Sequence, residues 1–296
     1  GQINKIIFRV IADPTARKQA LEAGNIDGYD LVGPADLAGL KAKGLKLVSR
    51  DAFNVLYLGI NSAQKELSDV KVRQAISYAI DKDQMIKQVM PEGTKSAIEF
   101  IPPSVRGYNE DVEKYSYDPE KAKSLLAEAG YPDGFTTTFY YPTDVSRPYM
   151  PTPAETFTNI SEQLKEVGIK VEPKPMKWTE YLKYVQGGSN HGLHLLGWTG
   201  DYNDPDNFVG VFFNGEKPEF GFKDASLFAN LEAARQMSDP DKQTTKYEEI
   251  MKQISEVVPA VPLAHPVPTL AFSSRVTEYP ASPVQDEVYN MVKLSK

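Results

Sequence analysis

The chain has 296 residues, a length that fits one large domain or two ordinary ones. Its 33 Lys and Arg residues against 40 Asp and Glu residues give a formal net charge of −7, which argues against a nucleic-acid-binding face and against attraction to an anionic membrane surface. It contains no cysteine, which excludes disulfides, thiol nucleophiles and thiolate metal sites.

The first elements in chain order alternate between strand and helix. The apolar residues of 5–11 predict a strand, and Asp13-Pro14 predicts the start of a helix that ends at Gly24. A natural chain seldom opens within a few residues of a strand that looks buried. We therefore expect a processed or truncated chain.

The same alternation continues along the chain. Apolar periodicity, N-cap residues followed by proline, and glycine stops predict the remaining elements. Together these elements indicate α/β packing, and we expect the strands near Asn54 and Val261 to cross between two lobes. The predicted helices are 36–42, 70–80, 83–90, 119–129, 153–167, 178–186 and one that starts at Asp239-Pro240; the predicted strands are 26–30, 45–49, 54–60, 135–141, 169–172 and 193–198, with a proline-broken extended segment at 261–272.

Residues 195–208 form the most informative segment. An apolar run typical of a buried strand leads into a loop that holds Trp198, Asp201, Asp204 and Asp206. Loops at strand ends often carry binding groups. An indole face beside a carboxylate suits a cation on an organic body, such as a peptide amino terminus. A polar turn after a core strand, with Trp198 in the core, is an equally good interpretation on residue types alone.

A second segment, residues 145–153, holds Arg147 and Tyr149 among three prolines. The prolines stiffen the backbone and fix the direction of Arg147. Arginine is the side chain best suited to bind a carboxylate with two hydrogen bonds, and Tyr149 adds an apolar wall with a hydroxyl. Residue types alone favour the alternative, an exposed arginine in a proline-rich connector. Together, however, the two segments offer a cation and an anion, which is what a zwitterion such as a short peptide requires.

Other chemistries find little support in the sequence. It has neither a Gly-x-Ser-x-Gly nucleophile elbow nor a Walker A loop. His191 and His194 are three residues apart, and in a strand that spacing places them on opposite faces. Residues 201–212 lack the Gly and Glu that a calcium loop needs at its sixth and twelfth positions. We therefore expect no enzyme, no cofactor and no bound metal.

Several motifs, taken together, are highly specific. By them the chain resembles, over essentially its whole length, the extracytoplasmic peptide-binding proteins of bacterial ABC importers, the class with dipeptide-, oligopeptide- and nickel-binding members. Two further segments, 146–149 and 197–208, look most like the dipeptide-binding branch. The motifs that carry the resemblance are Asp13-Pro14-Thr15-Ala16-Arg17 with 20–27, Leu58-Gly59-Ile60-Asn61, residues 69–82, Tyr117-Asp118-Pro119-Glu120-Lys121-Ala122, and residues 125–132.

The resemblance implies an α/β, two-lobed periplasmic-binding-protein fold of the large peptide-binding type. Residues 1–55 and 264–296 would form the first lobe, and 56–263 the second lobe, which would carry the ligand anchors. The N-terminal portion that the family's first lobe normally uses is missing from this sequence. The expectation is therefore a first lobe that is incomplete here, in a chain that is either a fragment or accompanied by a companion N-terminal fragment.

The resemblance also implies a site and a function. Asp201 would hold the α-ammonium group of the ligand and Arg147 its α-carboxylate, in a pocket with two aromatic walls. The protein would bind short, dipeptide-like peptides outside the cytoplasm, in the periplasm or at the cell surface, where a lipid anchor on the missing N-terminus would hold it as a lipoprotein. It would deliver them to an ABC transporter permease and would not bind nucleic acid. The predicted ligand-binding residues are Arg147, Tyr149, Gly197, Trp198, Thr199 and Asp201.

Two alternatives stay open at this point. The first keeps the fold and changes the solute to a metal chelate, haem, glutathione, an opine or an oligosaccharide. The second, more remote, is an α/β hydrolase, for which no pair of nucleophile and base is visible in the sequence.

Overall fold

The computed structural model describes residues 3–188 and 190–295. Helices lie on both faces of a large mixed sheet, a smaller three-stranded antiparallel sheet has its own small core, and a two-stranded antiparallel sheet lies near the end of the chain. In chain order the elements are α1 Pro14–Glu22, β1 Gly28–Tyr29, α2 Leu37–Ala42, β2 Lys46–Ser49, β3 Asn54–Ile60, α3 Val70–Ala79, α4 Lys82–Val89, β4 Lys95–Ser96, α5 Pro119–Glu128, β5 Phe135–Pro142, α6 Pro153–Glu166, β6 Ile169–Met176, α7 Trp178–Gly187, β7 Leu193–Thr199, α8 Asp206–Phe213, α9 Ala225–Gln236, α10 Pro240–Val257, β8 Ala260–His265, β9 Thr269–Phe272, β10 Val276–Glu278 and β11 Lys293–Leu294.

The predicted helix signals match the local geometry. Asp13, Asp118 and Asp239 each accept a hydrogen bond from a backbone N–H in the first turn of a helix that starts with proline. Gly130 and Gly168 follow the ends of α5 and α6 with φ of 93° and 92°, a left-handed conformation that glycine adopts at little cost. These short-range signals explain why most helix boundaries could be predicted.

Over the described residues, the larger sheet has six strands in the order β4-β8-β3-β7-β5-β6. Strand β7 pairs antiparallel with β3 and parallel with β5, and β5 pairs parallel with β6. Both faces of β3 are buried: Leu56 and Leu58 join a core under α3, α5 and α6, whereas Val55 and Tyr57 join a core under α7 to α10. This two-sided burial explains why β3 reads as a continuous apolar run.

The smaller sheet has the order β1-β9-β2 and is antiparallel throughout. Residues 50–53 connect β2 with β3, and residues 266–268 connect β8 with β9, so the chain passes between the sheets twice. The strands near Asn54 and Val261 belong wholly to the larger sheet, which corrects the expectation that the strands themselves cross. We propose that the two sheets correspond to the two lobes; the predicted boundaries at 55/56 and 263/264 fall inside β3 and β8.

The prediction of a strand at residues 5–11 is wrong for this structure. The segment has no strand conformation, and Ile7, Phe8 and Val10 are 73%, 74% and 95% exposed. A strand requires backbone pairing with a neighbour, and none of the described strands pairs with this segment. The apolar pattern of residues 5–11 therefore indicates a strand propensity, but no neighbouring strand among the described residues is present to pair with the segment.

Two helices, α8 and α9, were not predicted. Helix α8 follows directly on the loop at 200–205 and buries Phe208, Phe212 and Phe213. Its residues carry no strong capping signal, since Pro205 occupies the N-cap position without a side-chain hydrogen bond. Burial of its aromatic face stabilises it instead, and such tertiary packing is not visible in local sequence.

Candidate functional site

The candidate site lies where three parallel strands end at one edge of the larger sheet. The carboxyl ends of β5, β6 and β7 meet at this edge, because the three strands run in the same direction. Ligands of α/β proteins commonly bind outside the carboxyl ends of parallel strands. The edge also faces the connections between the sheets, because Asn54, at the start of β3, pairs with Thr199 at the end of β7.

Arg147 lies in a tight turn after β5. Its backbone exchanges hydrogen bonds with Met150, at 3.0 Å and 2.9 Å, which fixes the turn. The guanidinium carbon lies 5.1 Å from the ring centroid of Trp178 and 6.0 Å from that of Tyr149. Its Nε is buried and has no hydrogen-bond partner in the structure. The arginine is therefore held between two aromatic rings and is not the free surface residue of the alternative interpretation.

Trp178 is a site residue that the sequence analysis missed. It begins α7, directly after β6, and its backbone N–H donates to Asp144 Oδ1 at 2.7 Å. Its indole stacks on Tyr181, with ring centroids 6.0 Å apart. The available signal was positional: Trp178 follows the third of the parallel strands, so it had to lie at the same edge as Arg147.

Tyr149 connects the two predicted segments. It is 4% exposed, so it is a buried side chain beneath the site. Its ring lies directly on Gly197, where a Cβ atom would stand 2.3 Å from ring carbon Cδ2. Burial raises the pKa of Tyr149 to about 12, with Arg147 acting in the opposite direction. The phenol is therefore neutral at physiological pH and remains a hydrogen-bond donor.

Asp201 lies just beyond β7 and is held by Asn207, a second residue that the sequence analysis missed. The backbone N–H of Asp201 donates to Asn207 Oδ1 at 2.7 Å, and Asn207 Nδ2 donates to Asp201 Oδ2 at 3.2 Å. Trp198 Nε1 donates to the same amide oxygen at 3.4 Å. Asn207 is buried at the start of α8, so it positions both predicted ligand-binding residues from a rigid helix.

The three carboxylates of this loop differ in their partners. Asp204 pairs with Arg106 at 2.8 Å, and Asp206 lies 3.5 Å from Arg235. These two ion pairs fasten the loop to neighbouring elements. Asp201, by contrast, is exposed and has an amide group as its side-chain partner. It is therefore the loop carboxylate that is best placed to accept a cation from solution.

Thr199 supplies a further polar group near the end of β7. The residue is half-buried, and its Oγ1 is inaccessible to solvent without a hydrogen-bond partner in the structure. Buried hydroxyls normally have a partner. Unsatisfied groups on Arg147 and Thr199 at one sheet edge fit a site completed by a ligand.

The expectation that His191 and His194 lie on opposite faces is wrong. Their ring centroids are 5.2 Å apart, because β7 begins only at Leu193 and the strand alternation does not extend to His191. Both histidines bind one residue: His191 Nε2 donates to the backbone oxygen of Glu219, and His194 Nε2 donates to Glu219 Oε1, each at 2.7 Å. Tyr57 donates to the same carboxylate oxygen at 2.7 Å.

The burial of His191 predicts that the stability of the protein depends on pH. Burial lowers the pKa of His191 to about 4, with His194 adding to the effect. The unfolded state therefore binds more protons between pH 6.5 and 4, so the stability contributed by neutral His191 is complete above pH 6.5 and is lost on acidification. When the pH falls from 7 to 5, we expect the free energy of unfolding of the unmodified protein to drop by about 2 kcal/mol more than that of the His191→Gln variant. Glutamine keeps a side-chain hydrogen-bond donor at this position but does not titrate.

Urea unfolding of both proteins at the two pH values measures this difference. The comparison is made between variants because Glu99, whose pKa burial raises to about 8, changes the stability of both proteins in the opposite direction. Equal losses in both proteins would show that His191 is not the group that titrates.

Within residues 3–188 and 190–295, no group of three or more His, Asp or Glu side chains is arranged to hold a metal ion. The same described part of the chain contains no helix with the length and apolar character that a bilayer crossing requires.

A family model described as bacterial extracellular solute-binding proteins, family 5 Middle, matches residues 1–219. The chain belongs to this family. The predicted family and the α/β, two-lobed periplasmic-binding-protein fold are thereby confirmed. The family is one of solute-binding proteins, which is not an enzyme class.

The names of individual relatives of this chain contain different solutes. The "Dipeptide-binding protein" of Escherichia coli (strain K12) is 36% identical over 270 residues, which are 89% of this chain and 50% of that protein. "Heme-binding protein A" of Haemophilus influenzae is 32% identical over 286 residues, 95% of this chain and 52% of that protein. The chain thus spans about half the length of the curated relatives it matches.

One solved structure resembles the family 5 chain over nearly all of its residues. It is an ABC transporter-associated periplasmic binding protein from Helicobacter pylori in complex with the peptide STSA. Its TM-score is 0.87 at 29% identity, and the match covers 97% of this chain and 56% of that one.

Proposed function

We propose that the chain binds short, dipeptide-like peptides by their two charged termini. Asp201 accepts hydrogen bonds from the α-ammonium group of the ligand and Arg147 pairs with its α-carboxylate. The Trp198 indole forms one side of the pocket. Thr199 Oγ1, which has no hydrogen-bond partner in the structure, would accept a hydrogen bond from a backbone amide of the ligand after a rotation of the side chain towards the pocket. Tyr149 and Gly197 support Arg147 from below, since the tyrosine ring lies on the glycine.

The observation that carries this proposal is the state of the two charged side chains. Arg147 contacts aromatic rings and pairs with no carboxylate among the described residues, and Asp201 contacts an amide. A charge in a binding site requires an opposite partner when the ligand excludes water. A zwitterionic ligand supplies both partners at once.

The two predicted segments lie close together along β7. Gly197, which contacts the Tyr149 ring, lies four residues before Asp201, so at most about 14 Å of chain separates the two residues. A dipeptide with a charge-assisted hydrogen bond of about 2.8 Å at each end spans about 13 Å, so a ligand of this length is the first to test.

The biological setting belongs to the same proposal. The family description is extracellular, and the relative from Helicobacter pylori is named periplasmic and ABC transporter-associated. We infer that this chain works outside the cytoplasm and delivers its ligand to an ABC permease. A companion N-terminal portion, as a separate segment or as part of a longer protein, would close the site from the side of the smaller sheet by hinge motion.

Titration calorimetry with matched ligands tests the proposal. We expect a free dipeptide to bind, and its N-acetylated and C-amidated forms to bind at least tenfold more weakly, because each modification leaves one anchor without an opposite charge. Equal affinity for free and doubly blocked dipeptide would contradict recognition by the termini.

Haem is the solute of one named relative, so it is the second ligand to test. The three histidines of this chain are His191, His194 and His265, with 0%, 0% and 1% exposure, and each makes a hydrogen bond inside the protein. None is positioned to coordinate a haem iron at the sheet edge. Mass spectrometry of the ligand that co-purifies with the protein distinguishes peptide, haem and other solutes.

A further inference from the structure

A cavity lies away from the candidate peptide site, at the β4–β8 edge of the larger sheet. It has a volume of about 300 Å³ and lies between the end of α3, the start of α4, residues 96–100, residues 113–117 and the end of α10. An apolar cavity of about 150 Å³ is large enough to hold benzene. This cavity therefore has room for a benzene-sized ring and a short polar arm.

One wall of the cavity is apolar. Ile98, Phe100, Met251 and Ile254 line it, together with the buried start of β8. Such a wall stabilises a ligand through the burial of apolar surface, at about 25 cal/mol per Å².

The polar feature of the cavity is Glu99. The residue lines the cavity and is 3% exposed. Its Oε1 accepts a hydrogen bond from the backbone N–H of Asn109 at 2.9 Å, whereas its Oε2 is buried without a hydrogen-bond partner in the structure. A carboxyl oxygen that is buried and unpaired is costly, and because Glu99 lines the cavity, a rotation of its side chain would present Oε2 to a ligand donor there.

The charges around the cavity favour a cation. Four carboxyl-bearing residues line it, against two lysines. Lys82 already donates to the Ala97 carbonyl oxygen at 2.8 Å, so its ammonium group has a partner. The carboxyl-bearing residues are Asp81, Asp83, Glu99 and Glu113, and the lysines are Lys82 and Lys114.

We propose that this cavity binds a small primary amine with an apolar body, whose ammonium group donates to Glu99 Oε2 while the body packs on the apolar wall. The site is separate from Arg147 and Asp201, so it does not depend on the proposed peptide binding. Its ligand is a positively charged molecule about the size of benzylamine.

The protonation state of Glu99 gives this proposal a distinctive signature. Burial raises its pKa to about 8, the Asn109 hydrogen bond opposes that rise, and the charge of Glu248 on α10 adds to it. Tyr108 also faces Glu99, and its own pKa is raised, so it stays neutral in this range. An alkylammonium ion stays protonated below pH 9. Binding the amine therefore requires Glu99 to lose its proton when the pH is below 8. Burial also lowers the pKa of Lys82, which lines the same cavity, to about 8, so the Glu99→Gln comparison below is needed to assign the released proton to Glu99.

Titration calorimetry with benzylamine and with benzyl alcohol, its neutral analogue, tests the site on the unmodified chain. We expect benzylamine to bind more tightly, with an affinity that rises up to tenfold per pH unit from pH 6 to 8. At pH 7, binding should release close to one proton, measured as a dependence of the heat on the ionisation enthalpy of the buffer.

Glu99→Gln keeps the shape of the side chain and removes its charge. We expect it to weaken benzylamine binding at least tenfold and to abolish proton release, with little change in benzyl alcohol binding. Arg275→Ala, an exposed substitution outside both sites, should leave benzylamine binding unchanged. Absence of benzylamine binding, equal binding of both probes, or an affinity that does not vary between pH 6 and 8 on the unmodified chain would each overturn the proposal.

Discussion

Arg147→Ala is expected to weaken the binding of a free dipeptide by about 3 kcal/mol, close to a hundredfold or more in dissociation constant. The substitution removes the partner of the ligand carboxylate and leaves that carboxylate desolvated beside Trp178 and Tyr149. Removal of one member of a buried charge pair is costly chiefly because the other charge stays unpaired. Titration calorimetry on the purified protein measures the loss.

Two comparisons make this result specific. Arg147→Lys keeps a positive charge but loses the planar fork and the stacking on Trp178, so we expect an intermediate affinity. Arg275→Ala removes an arginine that lies between β9 and β10 and whose side chain is 63% exposed. This substitution should leave the affinity for the dipeptide unchanged.

The ligand series adds a second dimension. If Arg147 pairs with the carboxylate, Arg147→Ala should bind the C-amidated dipeptide about as well as the unmodified protein does, because neither combination retains the pair. An Arg147→Ala protein with full affinity for the free dipeptide would remove this residue from the site.

The fold was predictable where a local signal determines an element. The Asp-Pro starts at 13, 118 and 239 and the positive φ glycines at 130 and 168 depend on interactions within a few residues. The strand at 5–11 and helix α8 depend on contacts from distant parts of the chain. The apolar residues of 5–11 have a strand propensity but no pairing partner among the described strands, so the predicted strand is absent. Helix α8 is stabilised by packing and has no capping signal, so it could not be predicted from the local sequence.

The candidate site divides in the same way. The loop carboxylates and the arginine are chemically conspicuous, but residue types alone left their roles open, and it was the family resemblance that selected Asp201 and Arg147 as the ligand anchors. Trp178 and Asn207 act through position, one by beginning the helix that follows the third parallel strand and the other by lying at the start of a helix that was not predicted. The structure adds a physical reason for Asp201 among the three loop aspartates, because Asp204 and Asp206 are engaged in ion pairs with Arg106 and Arg235.

Arg73→Met is expected to lower the free energy of unfolding by about 3 to 5 kcal/mol. Arg73 is 5% exposed and lies in α3, within one of the motifs on which the family resemblance depends. Its guanidinium group donates to the carbonyl oxygens of Leu67 and Ser68, before α3, and of Val257 and Val258, at the end of α10. Loss of these donors leaves carbonyl groups at two chain segments without their partner, and each such group costs about 1 to 3 kcal/mol when buried.

Urea unfolding measures this loss. The free energy of unfolding of Arg73→Lys should lie between those of the unmodified protein and Arg73→Met. An ammonium group lacks the planar fork of donors with which the guanidinium group reaches both chain segments. Arg235→Met is the matched control: its side chain is 47% exposed and its ion pairs are 3.5 and 3.6 Å long, so we expect a change within about 1 kcal/mol. An Arg73→Met protein as stable as this control would show that the carbonyl groups find water or other donors instead.

The reason for so large an effect lies in Val258. This β-branched residue ends α10 with φ of 46° and ψ of 67°, a left-handed conformation that such residues rarely adopt. Arg73 Nε donates to its carbonyl oxygen at 2.8 Å and so offsets part of the strain. Two residues later β8 begins, pairs with β3 and leads to the connection at 266–268. Arg73 therefore acts on the direction in which the chain leaves α10, and through β8 on the sheet edge that holds the candidate peptide site.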